Sequence, residues 1–520
     1  MTEQQTYDAI LIGAGHNGLI CASYLAKAGK KVLVLEAQEQ VGGAARSEKL
    51  NGQYTLSPCA QFLGPLEPKI EKDFGLSMNK NRTVHDSLFM TENADPISIR
   101  DGNLSGDLSA KDLKEWPAYH KQVCEYASVL KVLLTHAPID LFNADWEDKK
   151  TALKLGWKLR FGLGKDGMRE FLRIAGMNIY DWLDERFESP ELKGAIAFDA
   201  CLGHFAAPRS IGTVYTYLYR QATTASIGTL KGGMNRFFTL LSEQSKKLGV
   251  DIQTKSAVSN VIVEKAKAKG VTLVDGRQFF APVIISNADP KTTVLDIVGP
   301  RHFEADFVKG IDNIRMQGTT AKLHLLLENC PDFNGLDQSS LTNRLVLTDT
   351  IRNVERAFDP IKYGSIAKKP LMEVHIPTLS DPSLAPKGHH ILSATISYVP
   401  YKLKGGWHAE AKMNLRKACI DHLALYAPDI HRSIIHAELY TPVDIEKKFG
   451  LKGGHWHHGE MALDQLMMMR PTPGAAQYSL PLDGLYLCGA GAHPGGSITG
   501  LPGKLAAEVV LSDLSKGELS

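Results

Sequence analysis

Apolar and polar positions along the first 36 residues switch between two periods. A short apolar run at Asp8–Ile12 ends on glycine. Asn17–Gly29 carries apolar residues at helical spacing (Ile20, Tyr24, Ala28), and Lys31–Glu36 is a second apolar run closing on an acid. Buried parallel strands read as unbroken apolar runs and crossover helices as stripes of period 3.6, so this stretch predicts a βαβ beginning. The helix is expected to stop at Ala28-Gly29-Lys30-Lys31, where glycine and basic residues supply a C-terminal signal. From about 80 to 225 the pattern predicts mostly helix, with aromatics such as Trp116, Tyr126, Trp146, Trp157, Trp182 and Tyr215–Tyr219. From 228 to 290 it predicts strands, in VDIQTKSAVSNVIVE, a KAKAKG turn and GVTLVDGRQFFAPVIISNADP. Strands such as KLHLLLE, RLVLTD, LMEVHIP and HILSATISYV mix with helices between about 300 and 450. The final 80 residues are rich in Gly, Pro, His and Met and end in a helix at Gly503–Leu514. No fixed-period repeat or low-complexity tract is present.

Composition narrows the class. The chain has 520 residues, 43% hydrophobic and 22% charged, with a formal net charge of +2. These values describe an ordinary globular protein and exclude disordered and fibrous classes. A net charge so near zero provides no whole-molecule field for nucleic acid, which is not expected as a partner. Seven cysteines (Cys21, Cys59, Cys124, Cys201, Cys330, Cys419 and Cys488) include no C-x-x-C pair. That argues against a disulfide framework, a zinc site and a dithiol redox centre, and suits a reducing compartment. The N-terminus enters an apolar strand by about residue 8, so no secretory leader is expected, and no window approaches the roughly 18 apolar residues of a membrane span. A cytoplasmic protein, or one lying against a membrane, is the expectation.

Chemistry enters at the first turn. Gly13, Ala14, Gly15, His16, Asn17 and Gly18 follow a strand and open a helix in a G-x-G-x-x-G pattern. The first glycine makes a tight turn, the second admits a pyrophosphate against the backbone, and the third packs helix on strand. Glu36, with Ala37 beside it, ends the second strand where an acid accepts hydrogen bonds from adenosine ribose hydroxyls and disfavours a 2′-phosphate. Gly42, Gly43, Ala44 and Arg46 then form a second glycine turn with a cation, which a plain NAD domain does not need. The pair of turns points to FAD. The competing reading is a glycine helix start followed by a flexible surface turn.

GAGHNGL with VLVLEAQEQVGGAARS resembles the opening of the phytoene desaturase/amine oxidase superfamily of FAD enzymes. Lys231-Gly232-Gly233-Met234-Asn235, followed by GVDIQTKSAVSNV and IISNADP, resembles the superfamily's second FAD segment, and LYLCGAGAHPGGSITGLPGKLAAEVVL its C-terminal flavin-contact motif. With GGHWHHGEMALDQLMMMRP the pattern is most similar to the branch called pyridine nucleotide-disulphide oxidoreductase domain-containing protein 2, despite lacking the C-x-x-C of disulfide reductases. The resemblance implies an α/β fold: a discontinuous Rossmann-type, p-hydroxybenzoate-hydroxylase-like FAD domain from 1–75, 228–300 and 440–520, and an α+β substrate domain from 76–227 and 301–439. It implies that Ala257 and Val258 meet the adenine, and that Gly489, Ala490, Gly495, Gly496 and Ser497 lie against the flavin. Amides near Thr499–Leu501 would then face the flavin N1–C2=O edge, with His493 and Pro494 shaping the turn.

His455, His457, His458 and Glu460 fit no metal-ligand spacing, and no metal is expected. They suit a cavity wall, with His457 or His458 as proton-transfer candidates. Arg470 is a further candidate beside flavin or substrate, or else an ion-paired structural residue, while Met467–Met469 suit core or an apolar tunnel. Residues 149–165 (KKTALKLGWKLRFGLGK) hold six basic residues and no acid. Two readings stand: peripheral contact with an anionic membrane, or a solvated basic helix whose apolar face enters the core. The function expected is FAD-dependent dehydrogenation of an apolar, isoprenoid- or acyl-like substrate, with the electron acceptor and oligomeric state open. The alternatives are an amine or amino-acid oxidase, and a non-catalytic FAD-binding regulator or lipid/prenyl-protein escort.

Overall fold

The computed structural model describes residues 6–92, 95–140, 144 and 146–517. Its first layer is a five-stranded parallel sheet in the order Asp251–Gln253, Val32–Leu35, Ala9–Ile12, Val283–Ser286, Leu485–Leu487. The strands come from three separated stretches of the chain, and the four-residue strands AILI and VLVL are buried throughout, as parallel strands covered on both faces require. Helix His16–Lys27 covers the sheet between helices Gly233–Lys247 and Leu501–Lys516. Contact with the last of these is backbone-close: a Cβ on Gly503 would overlap the Asn17 carbonyl oxygen.

A three-stranded antiparallel sheet, Val258–Glu264, Lys267–Leu273 and Gln278–Phe280, leans on this layer. The expected KAKAKG turn is shorter than its text. Lys265 and Ala266 alone turn, both with positive φ (49° and 58°), and strand pairing resumes at Lys267. A two-residue turn of that hand matches the twist of the flanking strands, which overrides the residues' own preference.

The second sheet has eight strands, in the order Ile434–Tyr440, Thr320–Leu327, His390–Ser397, Met372–His375, Arg344–Leu347, Ser87–Met90, Ile97–Arg100, Asn103–Ser105. Three of its strands lie where the sequence pattern predicts mainly helix; these are four residues or fewer, too short for a periodic signature. Period-two alternation divides its faces. Leu323, Leu325, Met372, Val374, Leu392, Ala394 and Ile396 enter one apolar core under helix Ala409–Ala424. Lys322, His324, Glu373, His375, Ser393 and Thr395 point the other way.

Helices Ala110–Leu134, Pro190–Cys201 and Thr213–Thr224 form an aromatic-rich cluster around Trp116, Tyr119, Trp182 and Phe187. Helix Trp146–Trp157 leaves Trp146, Leu153 and Trp157 exposed, while Leu163, farther along 149–165, packs against the aromatic-rich cluster. Among the described residues no helix is long and apolar enough to cross a membrane.

Candidate functional site

A cavity of about 490 Å³ runs from the first glycine turn, across the C-terminal ends of the parallel strands, to the polar face of the eight-stranded sheet. Gly13, Gly15, His16, Asn17, Glu36, Ala37, Gly42, Gly43, Ala44, Ala257, Val258, Ala490, Gly496 and Ser497 all line it. Four chain segments read separately in the sequence therefore meet on one wall.

The glycine turn is built for an anion. Gly13 turns at φ +95°, and Gly15 caps helix His16–Lys27 with no side-chain hydrogen bond to the first-turn amides. Those N–H groups remain available at the positive end of the helix dipole. A Cβ on Gly15 would come within 2.7 Å of the Asn287 amide nitrogen, and the buried Asn17 Oδ1 has no protein partner. Gly18 stays outside the cavity because its Cα packs on the Gly13 carbonyl, as expected of a third glycine. Ala14 is buried behind the wall: its N–H donates to Glu36 Oε2 (2.7 Å) and its carbonyl accepts from Gly42 N–H (2.9 Å), joining the two glycine turns. Glu36 Oε1 accepts from the Gln38 amide at 2.9 Å, so each carboxylate oxygen is held by backbone and keeps acceptor capacity toward the cavity.

Arg46, expected over the phosphates, sits directly behind the wall residues Gly43 and Phe449. Its guanidinium donates to the Gly43 carbonyl (3.0 Å) and Glu48 (2.9 Å) and lies over the Phe449 ring, outside the cavity wall. An ion pair and an aromatic face hold it there.

At the C-terminal motif, Gly489 backs on the Asn287 carbonyl, and Gly495 on Met461 and the Tyr219 hydroxyl. Tyr219 donates to the Gly496 carbonyl and Thr223 meets the Ser497 hydroxyl at 3.4 Å, so helix Thr213–Thr224 clamps the loop. His493 lies outside the cavity wall, its Nε2 hydrogen-bonded to the Leu133 carbonyl at 2.9 Å. Gly496 leaves room for His457, whose Nδ1 an added Cβ would overlap. His457 and His458 line the cavity, and the His204 ring stacks on His457 at 5.3 Å. Burial holds His457 and His455 well below the usual imidazole value and His204 at about 4, so these rings are neutral at pH 7 and poor bases. Arg470 is not in the wall. Buried, it donates to the carbonyls of Ala490, Glu460, Gln465 and His457, pinning the histidine segment to the C-terminal loop. Met467–Met469 also lie outside the cavity wall. Among the described residues no group of three or more His, Cys, Asp or Glu is arranged for a metal.

The sheet end of the cavity carries residues that sequence reading missed. Lys322 Nζ donates to Gln61 Oε1 (3.1 Å) and Thr395 Oγ1 (2.6 Å), and burial pushes its pKa down to about 8 although Glu373 opposes the shift. Beside it, Arg344 bridges Glu373 (2.6 Å) and Asp199 (2.5 Å), while Arg220 reaches the same two carboxylates at 3.5 and 3.3 Å. Polar residues recurring at every second position of KLHLLLE, LMEVHIP and LSATIS are the signal that could have found this wall. Asn287, inside IISNADP, had a local signal too, and it touches the first glycine turn.

The model of the family described as flavin containing amine oxidoreductase matches residues 18–511. The chain is 32% identical to a mouse (Mus musculus) protein, pyridine nucleotide-disulfide oxidoreductase domain-containing protein 2, covering 98% of this chain and 94% of that one. It is 26% identical to a limonene dehydrogenase polypeptide of Castellaniella defragrans, covering 99% and 96%. The solved structure of wild-type putrescine oxidase bound to putrescine superposes with a TM-score of 0.61 at 15% identity, over 98% of this chain and 99% of that one.

Proposed function

As a member of the flavin containing amine oxidoreductase family this chain is an FAD-dependent oxidoreductase, and we propose that it dehydrogenates an apolar, isoprenoid- or acyl-like substrate. Bound FAD supplies a two-electron acceptor at N5. The first glycine turn and the amides of helix His16–Lys27 hold the diphosphate, Glu36 the ribose, and Ala257 and Val258 the adenine edge. The loop at Gly495–Ser497, clamped by Tyr219, holds the ring system. Phe62, Leu202, Ile227 and Trp456 give the cavity apolar flanks that exclude water. Lys322 Nζ, about half neutral amine near pH 8, takes up the proton lost from the substrate carbon.

One observation carries the substrate class: Asp199 and Glu373, the carboxylates at the sheet end, are both neutralised by Arg344 and Arg220. A substrate ammonium would have to displace one of those arginines. The name of the limonene dehydrogenase relative supports the same reading. Anaerobic addition of terpenes, carotenoids and acyl chains is expected to bleach the flavin absorption, and addition of primary amines to leave it intact. Bleaching by amines alone overturns the proposal.

A further inference from the structure

Helix Trp146–Trp157 and the turn Lys158–Gly162 that continues it carry four large apolar side chains in water: Trp146 is 76% exposed, Leu153 74%, Trp157 65% and Phe161 63%. Their spacing, i, i+7, i+11 and i+15, places them along one face of a helix. Single exposed apolar residues are ordinary; a continuous stripe of four is not. The opposite face is occupied, with Thr151 buried and the helix packed on Ala110–Leu134. Lys158 fixes the turn by donating to the Ser128 carbonyl at 2.6 Å. Trp157 and Phe161 pack at 4.4 Å between ring centroids with their planes tilted by 39°, forming a single aromatic ridge.

Cations flank the ridge. Lys149, Lys154, Arg160 and Lys165 are exposed, and among the described residues they form no ion pair. Residues 149–165 contain no acid, and of the two acids that precede them in the segment, Glu147 and Asp148, Asp148 is buried. Arg160 lies 5.6 Å from the Phe161 ring, so charge and aromatic face occur side by side. Indole and phenyl rings with lysines at their margins match the boundary between lipid headgroups and acyl chains, where the apolar face sinks a few ångströms and each cation meets a lipid phosphate.

We propose that Trp146–Lys165 docks this protein on the surface of an anionic lipid bilayer, with Trp157 and Phe161 as the inserted wedge. The proposal holds whatever substrate the cavity takes. The test is sedimentation of the FAD-loaded full chain with vesicles. Wild type is expected to pellet with mixed phosphatidylcholine–phosphatidylglycerol vesicles, much less with phosphatidylcholine alone, and less as salt rises. Lys149→Glu/Lys154→Glu and Trp157→Ser/Phe161→Ser are each expected to weaken binding about tenfold or more, with wild-type flavin content and melting temperature showing that they fold. Brominated lipid is expected to quench tryptophan fluorescence in wild type and to lose most of that effect in Trp146→Phe/Trp157→Phe. Absence of pelleting with anionic vesicles, or equal pelleting of wild type and both variants, overturns the proposal. So does a concentration-dependent dimer that the same substitutions dissolve without any vesicle binding, which would assign the ridge to a second copy of the chain.

Discussion

At the scale of single residues the cavity holds two kinds of buried titratable group. The histidines at 455 and 457 have only other histidines and Arg470 for charged neighbours, so burial leaves them neutral. Lys322 has Glu373 nearby, and its pKa stays at about 8. The sign follows directly. A lysine normally titrates near 10.4, so this one loses its proton within the working range, and the neutral amine that accepts a proton accumulates as pH rises through about 8. Flavin reduction by substrate, followed by stopped-flow absorbance, is expected to speed up across that interval and level off above it. Lys322→Met is expected to slow reduction about 100-fold and to abolish the inflection; an unchanged inflection in the variant would remove Lys322 from the proton transfer. Its place in the cavity wall escaped the sequence reading, because a lysine inside an apolar strand looks like a solvent-facing residue until the opposite wall is in view.

Among elements, helix His16–Lys27 decides most. It opens on the first glycine turn at the cavity and lies between two helices that come from the middle and the end of the chain. Its seat on Leu501–Lys516 depends on Gly503, since a side chain there would overlap the Asn17 backbone. Gly503→Ala is therefore expected to destabilise the protein by about 1–3 kcal/mol. Because Asn17 lies in the cavity wall, FAD retention should fall as well. Thermal unfolding and the flavin absorbance after gel filtration measure the two effects. A variant with wild-type melting and flavin content would show that the helices have room to part. The glycine motifs were legible in advance for this same reason: each marks backbone brought against something. The clamp from Thr213–Thr224 was not, since Tyr219 and Thr223 are unremarkable residues in an amphipathic stretch.

For the whole molecule, the two sheets meet at the cavity, and Arg344 joins the second sheet to helix Pro190–Cys201 through Glu373 and Asp199. Burial alone would raise both carboxylates; Arg344 and Arg220 overcome it and hold them below the usual range. Replacing Arg344 by Ala leaves buried carboxylates short of a partner, at a cost of about 3–5 kcal/mol. Chemical denaturation is expected to show that loss at pH 7. The loss shrinks as pH falls below about 4, where the unfolded chain also protonates its acids. A variant with the same deficit at every pH would point to lost packing alone. The α/β class, the cofactor and the family were readable in the linear text because glycine turns, apolar runs and the acid ending the second strand act through backbone and local spacing. Arg46 shows where that ends: its pairing with Glu48 and its place over the Phe449 ring are not contained in the local glycine pattern. Which residues face the sheet end of the cavity, which histidines stay neutral, and whether the face of 146–161 meets core or water all depend on what the fold packs against each side chain. Burial and charge pairing are properties of neighbours brought together from distant parts of the chain, and local spacing does not contain them.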